Sequence, residues 1–103
     1  MTASDALSMA GELLKDGRLW VRRSTGAFDD EITQTIAAGF LDLQNAGVCV
    51  FDANDPLLRQ AAKLYLKAHF GYDAESAKWE QAYEHLKAAL SLSSDYTEGP
   101  ADG

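Results

Sequence analysis

The clearest periodicity in the chain begins at Ile32. Ile32, Ile36, Phe40 and Leu43 recur at steps of four, four and three, which lines one face of an α-helix. Asp29, Asp30 and Glu31 come just before, where a helix N-terminus favours carboxylates. Asn45-Ala46-Gly47 closes the pattern, because glycine readily takes the left-handed conformation just past a helix end. A helix is predicted over about 29–46. Asp55-Pro56 then opens another, with aspartate as N-cap and proline at the first helical position. Leu57, Leu58, Ala61, Ala62, Leu64, Tyr65, Leu66 and Ala68 cover most of its circumference, and Arg59, Lys63 and Lys67 form a charged strip. A helix apolar on so many sides sits centrally. Its predicted span is about 55–70, with Gly71 as the stop.

The last long helix is predicted over about 74–93, capped by Asp73. Trp79, Tyr83, Leu86 and Leu90 form its stripe, which fades near Ser91 to Ser94. A weaker helix is predicted over 4–16, with Ser4 or Asp5 as cap and Gly17 as stop. Leu7, Ala10 and Leu14, with Met9 and Leu13, would give its apolar side. Residues 18–28 break the pattern. Leu19-Trp20-Val21 is β-prone, and Ser24-Thr25-Gly26 is a turn cluster, so an extended arm or short β-hairpin is expected there. Val48-Cys49-Val50-Phe51 reads as a short apolar connector. The expected fold is all-α: a small bundle of three main helices plus the weaker N-terminal one, with the arm at 18–28. It forms a single domain over 1–96, followed by a flexible tail over 97–103.

Length and charge sharpen this picture. The 103 residues allow one domain with one modest core. The single cysteine, Cys49, excludes an internal disulfide framework and a multi-cysteine zinc site, and it is expected to be a small buried hydrophobe between valines. Net charge is −7, against the usual balance of a nucleic-acid binder. Residues 1–28 carry four basic and three acidic groups, whereas 29–103 carry five basic and thirteen acidic. That polarity orients the chain in an assembly or simply provides a soluble acidic surface. Nothing approaches a membrane span, and the N-terminus lacks the pattern of a secretory signal, so synthesis in the cytoplasm is the default expectation.

No catalytic constellation emerges. His69 and His85 lack the Glu three residues upstream that a di-iron helical site needs, since Leu66 and Ala82 stand there. No zinc-protease helix motif, phosphate loop or nucleophile elbow is present. Both histidines read as structural or surface groups, and no catalytic, cofactor-binding or metal-binding residue is assigned. A helix-turn-helix reading fails because residues 47–54 are too long for its turn and the final helix is acidic. The segment Leu19-Trp20-Val21-Arg22-Arg23 stands out because it joins a large aromatic to basic groups, as interaction hot spots do. Alternatively Trp20 packs back on the bundle and leaves the arginines solvated.

The order Phe28-Asp29-Asp30-Glu31-Ile32, Ala46-Gly47, Asp55-Pro56-Leu57, Ala61-Ala62 with Leu64-Tyr65-Leu66-Lys67-Ala68, Phe70-Gly71-Tyr72, and Tyr83 with Leu86-Lys87 and Leu90 resembles the small head–tail connector proteins of long-tailed bacteriophages and prophages. The resemblance runs from about residue 12 to residue 96. It implies a helical bundle with an arm, and no catalysis, cofactor or small-molecule substrate. It also implies a homo-oligomeric ring on the portal vertex, which joins the DNA-filled head to the tail or to the next head-completion protein. DNA would only pass through the channel, without sequence-specific binding, and the protein would reside in the virion at the head–tail interface. Trp20, Arg22 and Arg23 are then the expected ring contacts, facing Glu80 or Glu84 of a neighbour. Two rival readings remain open: a non-phage helical adaptor or regulator that clasps one protein partner, and an enzyme centred on His69, His85 or Cys49.

Overall fold

The computed structural model describes residues 1–23, 25–70 and 74–98. Ser24, the helix stop expected at Gly71, the cap expected at Asp73 and the end of the tail from residue 99 lie outside the described residues. Among the described residues the elements are helical and no strand occurs: α1 (Ala3–Glu12), α2 (Leu14–Trp20), a 3-10 turn (Gly26–Phe28), α3 (Asp29–Asn45), α4 (Pro56–His69), α5 (Ser76–Ser91) and a single turn, α6 (Ser94–Thr97).

The two helices with the best sequence signals begin and end as their residues dictate. Ile32, Ile36, Phe40 and Leu43 are all buried on α3. Past its end, Gly47 takes φ +111°. Its N–H donates to the Gln44 carbonyl at 3.0 Å, and the Val48 N–H donates to the Leu43 carbonyl at 3.0 Å. Those two bonds form a Schellman motif, and Leu43 and Val48 are both buried beside it. At the start of α4, Asp55 Oδ1 accepts from the Leu57 and Leu58 N–H groups at 2.8 and 3.1 Å. Those two donors would otherwise be orphans of the first turn. Helix α4 is central, packing against α2, α3 and α5.

The N-terminal third departs from expectation. The cap of α1 is Thr2, in a reciprocal capping box with Asp5. Its buried face is Ala6, Met9, Ala10 and Leu13, while Leu7 is exposed. Gly17 does not stop a helix but lies inside α2, buried against α3. A Cβ there would sit 2.9 Å from Ile32 Cγ2, so the absence of a side chain permits the close approach.

The extended arm or hairpin expected over 18–28 is not found. The helical ladder runs straight through Leu19 and Trp20, with the Val21 N–H bonded to the Gly17 carbonyl at 3.2 Å. The β-propensity of Leu-Trp-Val is overridden by packing of α2 on α3 and α4. Arg18 reinforces this with a two-point ion pair to Asp29, its Nε donating at 2.8 Å, which ties α2 to the first turn of α3. The Asp29 carboxyl lies below its ordinary pKa because Arg18 donates to it.

The connector after α3 is half-buried rather than uniformly apolar. Val48 is buried and Phe51 meets Phe40 edge-on at 6.0 Å. Cys49 is exposed, contrary to the small buried hydrophobe expected. The Cys49 and Val50 N–H groups instead hold α6, donating to the Tyr96 carbonyl at 2.8 and 3.3 Å. The Tyr96 hydroxyl lies 3.0 Å from both oxygens of Asp55, so α6 is pinned to the start of α4.

Candidate functional surface

The residues singled out in the sequence fall into two groups. Trp20, Arg22 and Arg23 share the end of α2. Trp20 is half-buried against α4, with the Arg59 guanidinium 6.0 Å from its ring centre. Its carbonyl accepts from Lys67 Nζ at 3.5 Å. Arg22 is exposed at φ +56°, a left-handed conformation uncommon outside glycine, and this turns the chain sharply after α2. Arg23 lies over the rings of Phe28 and Phe70, at 5.1 and 5.8 Å. The cluster therefore splits: Trp20 packs on α4, Arg23 clasps two aromatic rings, and Arg22 projects.

Glu80 and Glu84 lie on α5, each within its own local network. Glu80 pairs with His69 Nε2 at 2.7 Å, and His69 stacks on Tyr65 at 4.2 Å between ring centres. Glu84 accepts from Lys87 Nζ at 3.0 Å, and the same Nζ donates to Asp42 on α3 at 3.0 Å. Tyr83 completes this network, its hydroxyl donating to Asp42 at 2.6 Å. Burial pushes the Tyr83 phenol far up, and its bond to the Asp42 carboxylate adds to that. Burial alone would raise Asp42, but donation from Tyr83 and Lys87 outweighs it and holds the carboxyl below its ordinary value. Among the described residues no hydrogen bond or ion pair joins Trp20, Arg22 or Arg23 to Glu80 or Glu84.

Structure adds residues that local pattern reading did not join to Trp20. A groove of about 380 Å³ opens between the end of α2 and the first half of α4, lined by Trp20, Asn54, Pro56, Arg59, Gln60 and Lys63. Farther along α4, Lys67 lies 4.8 Å from the ring centre of Trp79 on α5, and Lys78 approaches the same ring at 5.2 Å. The i, i+4 spacing of Arg59, Lys63 and Lys67 was visible in the sequence as a strip. That tryptophans from two other helices flank it depends on tertiary packing. Among the described residues no three His, Cys, Asp or Glu side chains converge as a metal site. No helix among them is long and apolar enough to cross a membrane.

This arrangement is suited to surface contact: aromatic groups beside cations on one flank and carboxylates on another. Comparison with known proteins gives it a setting. A family model described as Phage connector protein matches residues 17–97, from within α2 to the end of α6, leaving α1 outside. No curated protein and no solved structure matched the chain. Phage connector proteins are structural, non-enzymatic virion components that contact other head and tail proteins. The match covers well over half of the chain, and the protein belongs to the phage connector protein family.

Proposed function

We propose that the protein forms a ring on the portal vertex and joins the DNA-filled head to the tail or to the next head-completion protein. The observation that carries this reading is the family match over residues 17–97, which takes in every helix after α1 in whole or in part. Residues 1–96 act as one connector domain, and the segment from residue 97 serves as a docking element. Identical neighbours meet head-to-tail, since only contacts between different patches that close by rotation make a ring. Trp20, Arg22 and Arg23 belong to one patch, and Glu80 and Glu84 to the patch that faces it. Exposure supports the second assignment, because the Glu80 and Glu84 side chains remain 42% and 48% exposed despite their internal partners. The net charge of −7 suits a channel through which DNA slides, because excess cations would hold phosphates.

The test is electron microscopy of particles made by the phage or prophage with this gene deleted. Filled heads and finished tails that stay separate are the expected result. Intact, infectious virions would overturn the joining role.

A further inference from the structure

Three of the five cations in the acidic stretch 29–103, Arg59, Lys63 and Lys67, follow one another at i, i+4 as a strip along α4, and a fourth, Lys78 on α5, approaches the same Trp79 ring as Lys67. Trp20 borders that strip on the α2 side and Trp79 on the α5 side. Among the described residues two carboxylates pair with them: Asp16 with Arg59, and Glu75 with Lys78 at 3.4 Å. The strip therefore keeps a positive excess on a chain whose total charge is −7. Lys63 makes no ion pair with a described residue, and Gln60 beside it is exposed. The fifth cation, Lys87, is held between Asp42 and Glu84 on the α3–α5 flank. There Asp42, Glu80 and Glu84 outnumber it. One protomer thus presents a basic, tryptophan-bordered groove on α4 and a carboxylate-rich flank on α3 and α5.

We infer that the α4 groove bordered by Trp20 is the docking surface for a second copy of this chain, which inserts its Glu80–Glu84 flank of α5. This rests on the ring reading and gives it a specific interface. The complementarity is between two patches of one protomer, the requirement for a head-to-tail contact. A partly exposed tryptophan beside a groove supplies the anchor type that dominates interfaces, and the rim charges set orientation and exclude wrong registers. The basic partner of the carboxylates is thus centred on Lys63, with the neutral Gln60 beside it in the groove. Arg22 is exposed just past the end of α2, and Arg23 is already engaged with Phe28 and Phe70.

The experiment is complementation of the gene-deleted phage with the full-length chain carrying Lys63→Glu, Gln60→Glu, Glu84→Lys, or Lys63→Glu together with Glu84→Lys. Infectious titre and electron microscopy give the readout, and circular dichroism of each purified variant checks the fold. Lys63→Glu and Glu84→Lys should each lower titre at least a hundredfold and leave heads and tails apart. Gln60→Glu, at an exposed position, should lower it in the same direction. The double variant should recover to within about tenfold of the parent, because the reversed charges meet again across each contact. Folded Lys63→Glu and Gln60→Glu proteins that both join heads to tails like the parent would overturn the groove. A folded double variant no better than either single one would overturn the second copy as occupant and point to an acidic surface on another virion protein. Failure of the joining role itself reads out separately, as joined particles from the deletion alone.

Discussion

Gly39 on α3 is the position where one added methyl group should cost most for its size. Its missing Cβ would sit 2.9 Å from Cγ, 3.0 Å from Cδ1 and 3.2 Å from Cβ of Tyr65 on α4. Carbon atoms in good contact are about 3.5–4.0 Å apart, so Tyr65 or the helix would have to move by roughly 0.5–1 Å. Tyr65 has little room to do so. His69 stacks on one face at 4.2 Å, and Tyr83 meets it edge-on at 5.0 Å. Overpacking costs about 1–3 kcal/mol, and a ring confined on two sides places this case at about 2–3 kcal/mol, while exchanging glycine for alanine inside a helix returns about 1 kcal/mol. Gly39→Ala should therefore destabilise the fold by about 1–2 kcal/mol, which for a domain of this size lowers Tm by roughly 5–10 °C. Removing the obstacle should reverse the sign. In a Tyr65→Ala background, Gly39→Ala should stabilise by up to about 1 kcal/mol, a coupling of roughly 2–3 kcal/mol across the cycle. Urea unfolding of the four proteins, followed by circular dichroism and tryptophan fluorescence, measures all the terms. A Gly39→Ala protein as stable as its parent, or equal effects in both backgrounds, would refute the close-contact argument.

Other consequences follow from the same packing. Tyr83→Phe removes the 2.6 Å bond to Asp42 but leaves that carboxylate its Lys87 partner, so urea unfolding should show a loss of about 1–2 kcal/mol. Asp29 and Asp42 are both held below the ordinary carboxylate range in the folded state. The unfolded chain then takes up protons first as pH falls, so their contribution is full above the unfolded value near about 3.9 and is lost as pH drops through the lower folded values. Thermal melts should accordingly be level above about pH 5 and fall steeply below about pH 4, and Asp42→Asn should flatten part of that fall. Cys49 is exposed, so a thiol reagent should label it in native buffer, and Cys49→Ser should change stability by under about 0.5 kcal/mol. Labelling only in denaturant would contradict that placement.

Where local chemistry decides structure, the sequence was a sufficient guide. The Ile32–Leu43 stripe, the Gly47 end and the Asp55-Pro56 start were legible because each signal and its partner lie within one or two turns. Gly17 was not, because glycine marks both a helix end and a close approach of two helices, and only Ile32 on the far side of the contact distinguishes them. Leu19-Trp20-Val21 failed for a related reason: its β-propensity is worth less than burying α2 against α3 and α4 and pairing Arg18 with Asp29. Docking of α6 by Tyr96 depends on Cys49, Val50 and Asp55, more than forty residues away, and leaves no periodic trace. The candidate surface was half legible. Trp20 and the Arg59–Lys63–Lys67 strip each stood out alone, but the groove they share with α4 and the flanking Trp79 are products of tertiary packing.

The most direct test of the connector role is a cryo-electron microscopy reconstruction of the neck of the mature virion that encodes this chain. The expected result is a closed ring of this chain between portal and tail, with α4 of each protomer against α5 of the next. A neck fully accounted for by other chains would contradict it.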